Sequence, residues 1–336
     1  MLNKRSNRDG EPCIVAIGGG TGMPSLLRGL TDYTRNITAI VTVADDGGSS
    51  GRLRRELGLL PPGDFRNNMA ALARDEALMT HLLQYRFGSS VRNGLVESTN
   101  GNHGELRGHA FGNLLLAALT GITGSFDEAL IAAQRVLALR GQVFPSTLEQ
   151  VTLVADVLVG EGKTAVAQRI VGESAIPKAG GKIQRVHLEP THVRAYPPAL
   201  RAIFQADLIV MGPGSLYTSI LPNLLIEDLA QAIKLARAPT LYICNLATQP
   251  GETDGYDVAE HVHAIQAHIS DSCVDIVLAN DNIDLDPAIG GGKTNFVQPT
   301  QPDNTRLVTA DLADESRPWR HDSQKVAKAV MSLLAE

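Results

Sequence analysis

The sequence predicts an α/β protein in which a mostly parallel sheet is layered between helices and carries a small antiparallel β insertion. Two features carry this reading. Apolar, β-branched runs end in glycine-rich turns and give way to helical spacing, the βαβ pattern of a parallel crossover. Between residues 151 and 190 the period changes to short alternating strands, and the α/β pattern resumes at Asp207.

The first strand reads Cys13-Ile14-Val15-Ala16-Ile17 and runs into Gly18-Gly19-Gly20-Thr21-Gly22, after which Leu26, Leu27 and Leu30 recur at helical spacing. A second run, Ile37 to Val43, ends at Ala44-Asp45-Asp46-Gly47-Gly48-Ser49-Ser50-Gly51. Its continuous apolarity suits a strand covered on both faces. Asp64 is placed to N-cap a helix through Ala73, and Asp75 to cap another running to Tyr85. From Gly88 to Gly108 the chain turns to Gly, Ser and Asn without periodicity, which predicts a mobile surface loop. Helical patterns follow over Phe111 to Leu119 and Phe126 to Leu139. Gly160-Glu161-Gly162 and Gly180-Gly181 then punctuate the antiparallel insertion, in which Ile183 to Leu188 alternates. Asp207 to Met211 leads into Gly212-Pro213-Gly214-Ser215 and helical residues to Leu235. Strands at Leu241–Cys244 and Ile276–Leu278 bracket a helix from Val258 to Ile269. The expected organisation is a disordered tail over 1–11 and one domain over 12–336, with the flexible loop at 88–108 and the β insertion at about 145–190.

With 336 residues and 43% hydrophobic content the chain can fill a sizeable core. A net charge of −6 argues against a sequence-independent grip on nucleic acid or insertion at an anionic membrane, leaving small-molecule work as the expectation. Cys13, Cys244 and Cys273 form no CxxC pair and read as buried thiols in a reducing compartment. Met1 to Pro12 is polar, with no apolar segment behind it, and no run approaches the roughly 18 residues of a membrane span. A cytoplasmic location is expected.

The turn Gly18, Gly19, Gly20, Thr21, Gly22 lacks Cβ atoms at four of five positions, so its amides can close on a phosphate at a helix N-terminus. The alternative is a purely structural tight turn, since the spacing is not G-x-G-x-x-G and no Walker lysine follows. Gly212, Pro213, Gly214 and Ser215 repeat the arrangement at another strand end, with Ser215 and Thr218 adding hydroxyls; an ordinary β-to-α turn is the other reading. In a doubly wound sheet the two strand ends adjoin at the switch point, so one ligand can touch both. Asp45 and Asp46 close the second strand, where a carboxylate accepts from a ribose or coordinates Mg²⁺ bridging phosphates. An Asx-turn or helix capping competes with that role. Arg52, Arg54 and Arg55, followed by Asp64, Arg66, Asn67 and Asn68, gather near the same mouth as a diphosphate clamp or, for Arg54 and Arg55, a solvated helix face. His109 and Asn113 lie one helical turn apart, as a ligand-facing pair or with His109 as a satisfied core histidine. His261 and His263 face different ways, which disfavours zinc. No Ser-His-Asp pattern or nucleophile elbow is visible, so hydrolase chemistry is disfavoured.

These motifs resemble those of the YvcK-type gluconeogenesis factors (CofD-like, UPF0052). The resemblance rests on Val15 to Gly22 and Val43 to Gly51, on Pro62-Gly63-Asp64-Phe65-Arg66-Asn67 and on Gly108-His109-Ala110-Phe111-Gly112-Asn113-Leu114-Leu115. Gly212 to Ser219 and Gln249-Pro250-Gly251-Glu252-Thr253 extend it, so that it covers about residues 12 to 335. It implies a Rossmann-like three-layer sandwich related to 2-phospho-L-lactate transferase. It also implies a UDP-sugar ligand, notably UDP-N-acetylglucosamine, and a role in cell shape and cell-wall (peptidoglycan) precursor supply. By this resemblance Gly47, Gly48 and Ser49 join the phosphate-binding loops, Asn245, Thr248 and Tyr256 line the sugar or uridine side, and Arg320 and His321 reach the diphosphate. Arg320-His321-Asp322 reads equally as a helix start. The stretch Asn93 to His103 departs from the family by its length.

Two functions are expected from these residues. One is a regulatory nucleotide-sugar-binding protein that acts on a partner enzyme of amino-sugar or cell-wall precursor synthesis and forms a homodimer. The other is a Mg²⁺-dependent phosphoryl or nucleotidyl transferase with Asp45, Asp46, Asp64 and Arg66 as catalytic candidates. A nicotinamide-linked oxidoreductase is disfavoured by the missing dinucleotide spacing.

Overall fold

A computed structural model describes residues 10–92, 95–98, 105–160, 165–269, 273–283 and 295–335. The first half of the chain supplies β1 (Ile14–Gly18), α1 (Met23–Leu30), β2 (Ile37–Val41), α2 (Gly48–Leu57), α3 (Gly63–Leu72) and α4 (Glu76–Gln84). It continues with the hairpin strands β3 (Ser89–Arg92) and β4 (Leu95–Ser98), then α5 (Phe111–Thr123), α6 (Phe126–Val136) and β5 (Gln142–Pro145). The antiparallel strands β6 (Thr152–Val159), β7 (Val166–Val171) and β8 (Gly181–Glu189) follow. The second half holds α7 (Pro197–Gln205), β9 (Leu208–Met211), a π-helical turn (Leu216–Ile220), α8 (Leu221–Leu224), α9 (Glu227–Leu235) and β10 (Thr240–Ile243). It closes with α10 (Val258–His268), β11 (Ile276–Asn280), β12 (Arg306–Ala310) and α11 (Ser323–Ala335).

Seven strands form one parallel sheet in the order β12-β11-β10-β9-β1-β2-β5. The central strands read as unbroken apolar runs because helices cover both faces, so every residue of β1, β9 and β10 is buried. From β1 the chain first moves outward through β2 to β5, then returns to the other side of β1 and moves out through β9 to β12. Right-handed crossovers taken in opposite directions place helices on opposite faces. Accordingly α1 packs with α3 and α11, while α7 packs with α9. The insertion is a separate three-stranded antiparallel sheet, β7-β6-β8.

Several local expectations shift. Asp64 is not an N-cap: Pro62 holds that position, Asp64 lies in the first turn of α3, and its carboxylate is taken by Gly20 in another segment. Asp75 does cap α4, accepting from the Leu78 amide. β2 ends at Val41, because the Thr42 side chain turns the chain by accepting from the Ala44 amide at 3.2 Å. The two edge strands, β5 and β12, escape periodicity. β5 is short and ends in proline, which a sheet tolerates at its edge, and β12 is only half-buried, with Arg306 and Thr309 exposed. Within the stretch 88–108 the backbone forms the β3–β4 hairpin, while residues 93–94 and 99–104, most of the expected insert, lie outside the described residues. Residues 1–9 of the tail also lie outside them. Cys244 and Cys273 are buried and Cys13 is half-buried, and none of the three is joined in a disulfide among the described residues. No single described helix is long and apolar enough to cross a membrane. α5 and α6 reach that length and apolarity only as a pair bent by 117°.

Candidate functional site

The order in which the chain adds strands reverses between β1 and β9, which makes that junction the switch point where ligands of open α/β sheets bind. Both glycine turns leave the sheet there, and they touch. A Cβ built on Gly22 stands 2.6 Å from the Pro213 carbonyl oxygen, and one on Gly214 stands 3.4 Å from the Gly19 oxygen. Gly22 is therefore required by close approach of two backbones, and Gly212 by its φ of +83°. Asn223 of α8 ties the turns from beneath, its Nδ2 donating to the Gly18 oxygen at 3.1 Å and the Ser219 oxygen at 2.8 Å. The amides of Thr21, Gly22, Gly214 and Ser215 have no hydrogen-bond partner among the described residues.

The Gly20 amide, by contrast, is occupied: it donates to Asp64 Oδ2 at 2.7 Å. Asp64 is pushed up to about 6, by burial first and by Asp45 second. Asp45 makes an Asx-turn, its Oδ1 accepting from the Gly47 amide at 2.9 Å, and burial raises its carboxyl too. Asp46 looks elsewhere. Its Oδ1 accepts from the Ser174 amide at 2.9 Å and so pins the turn after β7 over the site. That turn brings in Glu173, pushed up to about 8 by burial and then by Asp45 and Asp64. Glu173 carries no spacing or turn signal in the sequence, because only the insertion's placement brings it here.

Arg66, Asn67, Ser49, His109 and Asn113 converge beside these carboxyls. Arg66 Nη1 donates to Asn113 Oδ1 at 3.1 Å and its Nη2 to Asn67 Oδ1 at 2.9 Å. Asn113 Nδ2 donates to Ser49 Oγ at 3.0 Å, and Ser49 Oγ pairs with His109 Nδ1 at 3.0 Å. His109 is thus a satisfied interior histidine within a polar network. Burial lowers its basicity, and burial likewise draws Arg66 down to about 10. Of the neighbouring arginines, Arg52 donates to the Arg107 carbonyl and Arg54 to that of Val151, which occupies part of the expected clamp.

A second half of the site grows from β9 and β10. Gln249 Nε2 donates to Ser215 Oγ at 2.8 Å, and its Oε1 accepts from Asn245 Nδ2 at 3.0 Å. Thr218 Oγ1 donates to Glu252 Oε1 at 3.0 Å, while the buried Glu252 Oε2 has no hydrogen-bond partner among the described residues. Tyr256 and Tyr217 share a hydroxyl contact of 2.9 Å. The Thr248 amide donates to the Asn295 oxygen. His321 reaches the Cys244 oxygen at 3.2 Å and is pushed down to about 4 by desolvation, so it is neutral at pH 7. Arg320 is exposed, its amide closing a turn onto Arg317, and Asp322 caps α11 through the Gln324 and Lys325 amides. Gln249 and Glu252 lie within a motif whose resemblance is visible in the sequence, but their partners are not.

A parallel sheet whose strand order reverses about two abutting glycine turns defines the α/β class whose ligand sites lie at the carboxyl ends of strands. The chain belongs to the 2-phospho-L-lactate transferase CofD family, whose sequence model matches residues 14–335. It is 43% identical over 335 residues to the gluconeogenesis factor of Bacillus subtilis, covering 97% of this chain and 99% of that one. It is 42% identical over 326 residues to the gluconeogenesis factor of Halalkalibacterium halodurans, covering 95% of each. A crystal structure of a UPF0052 family member from Bacillus halodurans is similar with a TM-score of 0.83 at 40% identity, covering 96% of this chain and 99% of that one.

Proposed function

We propose that this protein is a regulatory binder of a nucleotide sugar of the UDP-N-acetylglucosamine type. Its diphosphate rests on the two glycine turns, and its occupied state acts on a partner enzyme of amino-sugar or cell-wall precursor synthesis in the cytoplasm. The observation that carries this reading is the contact between the turns after β1 and β9, which gathers the unpaired Thr21, Gly22, Gly214 and Ser215 amides at one switch point. Asn245, Tyr256 and Ser215 stand on the β9–β10 side, where hydroxyl and amide groups suit a sugar or a uracil ring. By the gluconeogenesis-factor relationship, the role belongs to carbon supply for the cell envelope and hence cell shape.

The neighbouring carboxyls set a condition on that binding. Burial first raises the pKa of Asp45, Asp64 and Glu173, with Asp45 also acting on Asp64 and both of them on Glu173, and a diphosphate adds to that repulsion. A divalent cation bridging the phosphates answers it. Among the described residues no three acidic, His or Cys side chains form a metal site by themselves, so Mg²⁺ would arrive held by one or two carboxylates and by the ligand. Asp45, Asp46 and Asp64 each spend one carboxylate oxygen on a backbone amide, of Gly47, Ser174 and Gly20; Asp45 and Asp64, which act on each other electrostatically, fit that role. Mg²⁺ would supply charge neutralisation at the phosphates.

Isothermal titration with UDP-N-acetylglucosamine, with and without Mg²⁺, tests the reading. Binding in the micromolar range, tighter with Mg²⁺, is expected; no heat at about 1 mM ligand in either condition overturns it. A second reading, Mg²⁺-dependent phosphoryl or nucleotidyl transfer, is favoured by one observation: Asp64 at about 6 and Glu173 at about 8 flank neutral pH, where a general base works best. Pyrophosphate release from UTP, Mg²⁺ and a sugar 1-phosphate, lost in Asp64→Asn with affinity retained, selects transfer over regulation.

A further inference from the structure

A cavity of about 930 Å³ opens at the opposite end of the sheet, beside the amino ends of β1, β2 and β5. Four arginines from four separate segments line it: Arg35 before β2, Arg74 after α3, Arg140 before β5 and Arg201 on α7. Among the described residues no carboxylate lines it, in a chain whose net charge is −6. None of the four guanidiniums has an ion pair or a side-chain hydrogen bond among the described residues; the Glu11 carboxylate near Arg35 is taken by the Arg35 and Thr34 amide and hydroxyl groups.

The walls that carry these side chains are fixed. The Arg140 amide donates to the Leu72 oxygen at 2.8 Å, and Ala73 bridges Leu139, which locks the Arg74 and Arg140 segments together. On α7, Arg201 and Gln205 lie one turn apart on the face that fronts the cavity. Phe144, held edge-on by Tyr196 at a centroid distance of 5.7 Å, is the aromatic part of its lining. Arg35, Arg74 and Arg201 are exposed and Arg140 is half-buried, so four like charges border one half-open space with no carboxylate among its lining residues; an anion there would relieve their mutual repulsion, and guanidinium forks match phosphate oxygens. The volume falls in the range of small-molecule pockets rather than of extended grooves.

We infer that this cavity is a second ligand site, distinct from the switch-point crevice, for a small metabolite carrying two or more phosphate groups. The two sites lie at opposite ends of β1, roughly 15 Å apart along a strand rising about 3.3 Å per residue. Occupation of one therefore leaves the other sterically open.

Inorganic tripolyphosphate in Mg²⁺-free, low-salt buffer is the probe, with Arg140→Ala and Arg201→Ala as the variants and Arg201→Lys as the conservative control. Thermal melting checks that each variant is folded. The expected result is wild-type binding weakened roughly tenfold by each alanine and less by Arg201→Lys, with UDP-N-acetylglucosamine affinity unchanged. The proposal is overturned if wild-type protein binds no tripolyphosphate at about 1 mM, if both alanine variants bind it as the wild type does, or if a single-stranded oligonucleotide binds at these arginines more tightly than tripolyphosphate.

Discussion

At the residue scale, the crevice depends on positions where an atom more or less decides the geometry. Gly22 faces the Pro213 oxygen at a distance no methyl group tolerates, so Gly22→Ala must push the two turns apart. We expect a loss of about 1–3 kcal/mol in denaturant unfolding, as for other overpacked sites. Nucleotide-sugar binding should fall with it in calorimetry; a variant with unchanged affinity would contradict the contact as the basis of the site. Asn223 makes a parallel case. Its Nδ2 bonds to two backbone oxygens sit at a fully buried position; Asn223→Ala removes both, although the Gly18 oxygen keeps the Thr42 amide, and the expected cost is about 1–3 kcal/mol.

At the element scale, helix ends set where the functional side chains emerge. α10 begins with a complete capping box, Asp257 accepting from the Glu260 amide at 2.8 Å and Glu260 from the Asp257 amide at 2.9 Å. Asp257→Ala should cost about 1 kcal/mol, read as a lower denaturant midpoint. α6 ends the other way, with Ala138 in the left-handed region at φ 49°, a position that glycine fills without steric cost. Ala138→Gly is expected to raise stability by up to about 1 kcal/mol, and a lower midpoint would show that the turn is not strained. The start of α10 is legible as D-x-x-E before an apolar run, whereas α3 misleads. Pro62-Gly63-Asp64 looks like a helix start capped by Asp64, yet the carboxyl leaves its own helix for the Gly20 amide, because that buried N–H needs an acceptor.

At the scale of the whole molecule, the two ends of the sheet carry different sets of charged groups. The carboxyl ends gather Asp45, Asp64 and Glu173, and the amino ends gather the four arginines. The acidic end makes stability depend on pH. Glu173 holds its proton up to about 8 in the folded state, against an ordinary glutamate near 4.5, so the folded chain binds the extra proton between those values. Its contribution is complete below pH 4.5 and is lost as pH rises through 8; Asp64 acts in the same direction between 3.8 and about 6. The melting temperature should therefore fall by a few degrees from pH 6 to pH 9, and Glu173→Gln should flatten that slope. An unchanged slope in the variant would place the titrating group elsewhere.

The sequence by itself determined the central strand–turn–helix units, both glycine turns and the antiparallel insertion, because periodicity and turn chemistry are written in near neighbours, and its motifs carried the family resemblance. Only the tertiary structure decided what those units meet. The Gly20–Asp64 bond spans 44 residues, Asp46–Ser174 spans 128 and Asn223–Gly18 spans 205, and none has a local signal. Strand order closes those distances, and strand order is set by how the helices bury their apolar faces together rather than by any one segment's pattern. The same reason hides the arginine cavity, whose four charges stand in four unrelated stretches of sequence until β1, β2, β5 and α7 assemble.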